Sequence, residues 1–158
     1  MARSVVWLLQ ALLALFFAVS VLVQVWVIPS LARDVAVHYP FLAHLEVVGV
    51  VGPVLMVLCA QIVLVCLWAL SSMAAAGRVF RRSAFRFVDV VIAALAAFAV
   101  LSLAALVLCA ANDALAPGNV LVLGGGMLGS FAAALLVVIM RGLLVTATRL
   151  EQDLAEVI

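Results

Sequence analysis

Charged side chains are scarce in this sequence. They make up 9% of its 158 residues, whereas soluble domains carry roughly a quarter. The chain has eight arginines and no lysine, and 71% of it is apolar. Such a composition excludes an ordinary water-soluble globular domain and indicates a membrane protein.

Catalytic and metal-binding motifs are also absent. There is no glycine-rich phosphate loop between a strand and a helix, no nucleophile elbow and no HExxH. The histidines His38 and His44 accompany Asp34 and Glu46, but their spacing fits no zinc pattern. We therefore expect no enzyme activity, no cofactor and no metal.

Cysteine is rare, and its placement argues against a disulfide. Cys59 and Cys66 lie seven residues apart on one predicted helix, and Cys109 is predicted near the opposite end of the bundle from Cys66. We expect three free thiols that behave as small apolar side chains.

Ionisable groups are missing from the apolar runs, which are uncharged over residues 5–28, 47–70, 90–111 and 120–140. Coupled transporters need such groups at membrane depth. The polar side chains there include Gln10, Gln24, Gln61 and Ser102. A proton-coupled pump is therefore not expected.

The apolar runs themselves predict the fold. About 20 apolar residues in a helix cross a bilayer core of about 30 Å, and these runs lack the alternation of barrel strands. We predict one all-α membrane domain over residues 1–158, a four-helix bundle with helices at about 5–28, 47–70, 88–111 and 120–148. The first run is too long for a cleaved signal peptide, so we expect it to remain as a helix.

Arginine placement predicts the orientation, because basic loops stay in the cytoplasm. One side of the four-span arrangement receives Arg33, and the other receives the remaining seven, which are Arg3, Arg78, Arg81, Arg82, Arg86, Arg141 and Arg149. We predict a multi-pass protein of the inner (plasma) membrane with both termini cytoplasmic. Segments 29–46 and 112–119 would then face outward.

The segment Gly77–Phe87, GRVFRRSAFRF, is the densest basic cluster. In a helical projection Phe80 and Phe87 share one face, and three arginines occupy the other. This pattern fits lipid anchoring, and it also fits contact with an acidic partner. Asp89 is predicted to pair with Arg86 or Arg82 one turn away. The candidate contact residues are Arg78, Phe80, Arg81, Arg82 and Arg86.

Small residues mark one face of the fourth helix. Gly125, Gly129 and Ala133 stand four residues apart, with Gly126 and Ser130 adjacent, and this spacing lets another helix approach closely. We expect this stripe to pack against the third helix. Pairing with a second chain is the alternative, and it would make the protein a homo-oligomer.

The C-terminal residues 141–158 predict an amphipathic cytoplasmic helix. Apolar residues alternate spacings of four and three over two heptads, at Leu143, Ala147, Leu150, Leu154 and Val157. Acidic residues near its end would suit folding back onto the basic segment. The seam would equally suit binding to a partner helix, for which Arg149, Leu150 and Leu154 are the candidate contacts.

Three stretches resemble a known family. They are the Pro40 region, GRVFRRSAFRFVDVV and the closing ATRLEQDLAEVI. Together they resemble a bacterial family of small four-helix integral membrane proteins classed as a domain of unknown function. Genes of that family often lie beside an Xre/Cro-type helix-turn-helix regulator. This chain departs from the family in carrying arginines after Phe80, where members usually have Ser or Asn.

These observations lead to three hypotheses of function. The first is a sensor or anchor that holds a cytoplasmic partner, such as the helix-turn-helix regulator that the resemblance implies, without itself binding nucleic acid. The second is a structural or assembly subunit of a larger membrane complex. The third is a small-molecule transporter.

Overall fold

The structure is a computed structural model that describes the backbone of residues 3–38, 46–75, 82–113 and 116–156. Side chains are described for these residues apart from 3–5, 36, 46, 74, 82–84 and 147–156. No strand occurs in these ranges, and the predicted all-α class is confirmed.

The first span is longer than predicted. It comprises α1 (Arg3–Leu22), a π-helical turn (Val23–Val27) and α2 (Ile28–His38) without interruption. The predicted end at residue 28 is therefore wrong, as is the assignment of residues 29–38 to an outer loop. Proline lacks an N–H and its ring crowds the carbonyl four residues earlier. The wider turn just before Pro29, in which the Ile28 N–H bonds to the Val23 carbonyl, relieves that conflict and lets the helix continue.

Three further helices complete the chain, α3 (Glu46–Ala75), α4 (Arg82–Ala111) and α5 (Pro117–Glu156). Each is longer than its predicted span. Pro53 lies inside α3. Because α4 begins at Arg82, half of the predicted basic loop is the first part of a helix. The 40-residue α5 is continuous, in agreement with a fourth helix that extends beyond the bilayer.

The connection between α4 and α5 is only five residues long, and the structure describes its two ends. Asp113 adopts the left-handed conformation with φ of 52°, and the Asn112 side chain donates to the Leu108 carbonyl. Pro117 starts α5, where its missing N–H costs nothing. The Ala116 carbonyl accepts the first helical bond, from Val120 at 3.2 Å. This turn sets α4 and α5 antiparallel.

Four spans of the described chain are long and apolar enough to cross a membrane: Val6–Val35, Val47–Met73, Phe85–Ala111 and Pro117–Thr146. Large apolar side chains cover their outer surfaces, while few apolar residues are buried within the chain. Water does not favour such a surface, and a bilayer does. The predicted multi-pass membrane protein is confirmed.

The helices pack in the order of the sequence. The first span contacts α3, α3 contacts α4, and α4 contacts α5. Among the described residues, no Cα atom of α5 lies within 8 Å of α3 or of the first span. Each outer helix therefore leaves a broad face for lipid or for another protein.

Candidate functional site

The candidate site lies at the end of the molecule where α3 ends, α4 begins and α5 passes Arg141, here called the arginine end. An ion pair joins α4 to α5 there. Arg141 Nε lies 3.0 Å from Asp89 Oδ1, and Arg141 Nη2 donates to Asp89 Oδ2 at 3.1 Å. This two-pronged geometry holds α5 in register with α4 near the end of its apolar span, which finishes at Thr146.

The pairing differs from the predicted one. Asp89 binds Arg141 of the neighbouring helix, and Arg86 is exposed without an ion pair to any described residue. The side chain of Arg82 lies outside the described set. Because α4 and α5 are antiparallel, Asp89 and Arg141 lie side by side although they are far apart in the sequence. The planar guanidinium group can then bind both carboxylate oxygens.

The other predicted contact residues are described only in part. Arg78, Phe80 and Arg81 lie outside the described residues. Arg82 belongs to α4, and the other three candidates belong to the last turns of α5: Arg149, Leu150 and Leu154. Their side chains are outside the described set, so their roles stay predictions.

Beyond Arg141, α5 continues as a helix to Glu156. At 1.5 Å per residue this extension is about 22 Å long, and the whole of α5 is about 60 Å, twice the thickness of a bilayer core. The Thr146 hydroxyl donates to the Gly142 carbonyl within it at 3.1 Å. We call residues 142–156 the α5 extension.

In the α4–α5 interface it is Gly126, next to the predicted stripe of Gly125 and Gly129, that a side chain of α4 approaches closely. A Cβ atom on Gly126 would lie 3.3 Å from Phe98 Cε1 of α4, whereas Cβ atoms on Gly125 and Gly129 would meet nothing within 4 Å. The third and fourth helices do pack together as expected, and Gly125 and Gly129 have open space at the Cβ position. Ala133 is half-buried. Without a side chain at Gly126, the Phe98 ring can approach the backbone of α5.

Two serines are buried near this contact. Ser102 is 1% exposed, and its hydroxyl has no hydrogen-bond partner among the described residues. Ser130, one turn from Gly126, donates to the Met127 carbonyl of its own helix. Small side chains are what such close helix contacts require in a membrane.

A polar cluster joins the first span to α3. The Gln61 amide nitrogen donates to Gln24 Oε1 at 3.0 Å and to Ser20 Oγ at 3.2 Å, and Gln61 is 7% exposed. Gln24 Nε2 in turn lies 3.5 Å from the Val54 carbonyl. Both glutamines stood out in the sequence as polar residues within apolar runs, yet nothing there indicated that they meet.

The potential metal ligands of the outer segment do not gather in the described part of the chain, where no group of three or more His, Cys, Asp or Glu side chains occurs. The His38 ring Nδ1 is 2.8 Å from the Asp34 carbonyl, so it closes the end of its own helix. His44 and the side chain of Glu46 lie outside the described set. The three cysteines are free thiols.

Comparison with known protein families gives a match over most of the chain. Residues 30–158 match a family described as "Protein of unknown function (DUF2975)". No curated protein matches the chain. No solved structure matches it either. The resemblance to a domain of unknown function is confirmed.

Proposed function

The chain belongs to the DUF2975 family of proteins of unknown function, and from this premise we propose that it is a non-enzymatic membrane anchor or sensor whose α5 extension holds a cytoplasmic protein. The observation that carries the proposal is the length of α5, a single helix that is long enough to span the membrane and continues for about 15 Å past the end of its apolar span at Thr146. A helix used only for anchoring has no need of that continuation.

The chemistry of the extension favours a protein partner. Its sequence places Leu150 and Leu154 four residues apart on one side, as in helices that bind other helices. Two heptads are too short to be stable alone, and binding to a second surface would stabilise them. The Asp89–Arg141 pair supports the extension at its base, so that its direction follows that of α4.

The kind of partner follows from the family resemblance and the predicted orientation. Both the arginine end and the α5 extension would lie in the cytoplasm, where a helix-turn-helix regulator operates. The membrane protein would keep that regulator at the inner (plasma) membrane and would not touch nucleic acid itself.

Orientation is tested first. A single cysteine in place of Ser72, on a background without the three native cysteines, is expected to resist a membrane-impermeant maleimide in intact cells and to react after lysis. The same substitution at exposed Asp113, at the opposite end, is expected to react in intact cells. Labelling of the Ser72 position from outside would contradict the proposal.

Partner binding is tested by affinity purification of the tagged protein from its native membrane. We expect a regulator to co-purify with the unaltered chain and to be lost from the double variant Leu150→Asp/Leu154→Asp. Gln152→Asp adds a charge on the opposite side of the same helix and serves as the matched control. Retention of the regulator by the double variant would show that the α5 extension does not hold it.

A second candidate function is a structural subunit of a larger membrane complex. The supporting observation is the open space around Gly125 and Gly129 on the membrane-spanning part of α5. If this function is correct, Gly129→Leu is expected to remove the protein from a high-mass complex on a native gel. An unchanged migration would argue against it.

A further inference from the structure

An apolar groove lies between the first span and α3, on the side of the arginine end. Its larger hollow has a volume of about 420 Å³ and is lined by Leu13, Ala14, Phe17, Leu64, Val65, Trp68 and Ala69. A second hollow of about 280 Å³ shares Phe17 and Val65 and reaches Leu58 and Gln61. The two hollows therefore form one groove, and apart from Gln61 its walls are apolar residues.

Small side chains and a distant tether keep the groove open. Ala14 of α1 and Ala69 of α3 line it beside the larger Phe17 and Trp68. At its far end the Gln61 hydrogen bonds to the first span join the two helices. The helices are thus held together at the polar cluster and are separated by the groove toward the arginine end.

The groove has the depth of one lipid leaflet. Its wall on α3 extends from Leu58 to Ala69, which is about 17 Å of helix. The apolar span there is Val47–Met73, so the groove begins about 6 Å from the arginine end of that span and stops near its middle. Half of a bilayer core is about 15 Å. An acyl chain that enters from the leaflet at the arginine end would therefore reach the Gln61 end of the groove.

The groove is too small to hold a helix. A helix about 10 Å thick and about 17 Å long occupies roughly 1,300 Å³, about three times the volume of the larger hollow. An acyl chain is thinner and flexible, so it can follow an irregular wall and make the close contacts on which association in a bilayer depends. The groove also lies within the apolar spans, where membrane lipids have direct access.

The charges at this end of the molecule favour an anionic headgroup. Every charged residue in the ranges 1–32 and 47–88 is an arginine, and these residues are Arg3, Arg78, Arg81, Arg82 and Arg86. They belong to the start of the first span, to the start of α4 and to the segment between α3 and α4. The next acidic residue, Asp89, is bound to Arg141. A phosphate group in the headgroup layer would therefore meet an excess of positive charge.

We propose that the groove binds one acyl chain of an anionic phospholipid from the leaflet at the arginine end, and that the arginines attract its phosphate group. The site is independent of the proposed function, because it requires no cytoplasmic partner. It also does not depend on which side of the membrane the arginine end faces.

Trp68 lines the groove and can report on its occupant. The chain has three tryptophans, so Trp7→Phe/Trp26→Phe leaves Trp68 as the single fluorophore. In phosphatidylcholine vesicles, phosphatidylglycerol with brominated acyl chains should quench Trp68 at a mole fraction about tenfold lower than brominated phosphatidylcholine does. An excess of unbrominated phosphatidylglycerol should reverse the quenching.

Filling the groove separates bound lipid from lipid that merely surrounds the protein. Ala14→Leu/Ala69→Leu should abolish the preference for phosphatidylglycerol. Ala60→Leu is the matched control, because this exposed residue lies on the opposite side of α3 from Ala69, and it should leave the preference unchanged. By native mass spectrometry after extraction in mild detergent, the unaltered chain should retain one phosphatidylglycerol and the double variant none.

Several results would overturn the proposal. Equal quenching by the two brominated lipids would show that no anionic lipid is selected. The same preference in Ala14→Leu/Ala69→Leu would assign it to the arginines alone, without the groove, and its loss in Ala60→Leu would place it elsewhere on α3. Retention of no phospholipid by the unaltered chain, or of an apolar molecule of another class, would also contradict it.

Discussion

Two helix contacts are held together in different ways. One joins α4 to α5, and the other joins the first span to α3. In the first, Gly126 lets the Phe98 ring reach the backbone of α5, and the Asp89–Arg141 pair closes one end. In the second, the helices are joined by the Ser20–Gln24–Gln61 cluster. Beside that cluster an apolar groove of about 420 Å³ stays open, lined by Leu13, Phe17, Val65 and Trp68 among others.

The difference follows from what lipid can and cannot replace. Lipid tails solvate apolar side chains as well as protein does, so helices associate in a bilayer through close packing or through polar bonds. The α4–α5 pair relies on close packing. The first span and α3 rely on polar bonds, and their apolar surfaces can remain apart because an apolar groove of this kind is suited to lipid tails. A larger side chain should therefore destabilise the α4–α5 contact. Loss of a hydrogen-bonding side chain should destabilise the contact between the first span and α3.

Gly126→Leu is expected to have the largest effect. Its side chain would collide with Phe98, and overpacking of this kind costs about 1–3 kcal/mol. Reversible unfolding in mixed micelles, followed by circular dichroism, would measure the loss. Combining it with Phe98→Ala should recover part of that cost, because the cavity accepts the new side chain. Purely additive costs would show that the two residues do not share one contact.

Gln61→Leu should come next and should affect the other contact. It removes two hydrogen bonds to the first span, which average about 0.6 kcal/mol each in a membrane, so the expected cost is about 1 kcal/mol. The same unfolding measurement applies. Gln10→Leu, on α1 and outside the cluster, is the matched control and should change the stability little. Equal effects of the two substitutions would mean that the polar cluster does not join the helices.

Breaking the ion pair should have a smaller effect. Arg141→Gln and Asp89→Asn should each cost about 1 kcal/mol or less, because both side chains are roughly half exposed, at 44% and 50%. A double-mutant cycle should show coupling that weakens as salt is added. Arg86→Gln, at the same end of α4, should show no coupling to Asp89. Coupling between Arg86 and Asp89 would favour the pairing predicted from the sequence.

The smallest effect is expected for added volume in the groove. Ala14→Leu lies on its wall and should change the free energy of unfolding by no more than about 0.5 kcal/mol, since lipid rather than protein is displaced. Like Gly126→Leu, it introduces a leucine side chain, but it does so at the contact between the first span and α3. A loss as large as that of Gly126→Leu would show that both contacts depend on close packing.

The sequence was informative where a property repeats along the chain. Apolar runs predicted four spans in the right places, and the spacing of residues 143–157 predicted that the fourth helix continues. The helix ends were less well predicted. Pro29 stands where the first helix was expected to end, yet a π-helical turn carries the helix past it. The sequence also could not show which of the three consecutive glycines 124–126 faces α4. Neighbouring residues of a helix point about 100° apart, so a small change in helix rotation changes the answer.

By itself, the sequence determined that this chain has helices able to cross a membrane, four of them in its described part, since length and apolar composition decide that without reference to any neighbour. Only the tertiary structure decided that Asp89 pairs with Arg141, that Gly126 receives Phe98 and that Gln61 binds the first span. These contacts join residues far apart in the chain. They depend on the rotation and height of one helix against the next, which the packing of whole helices sets.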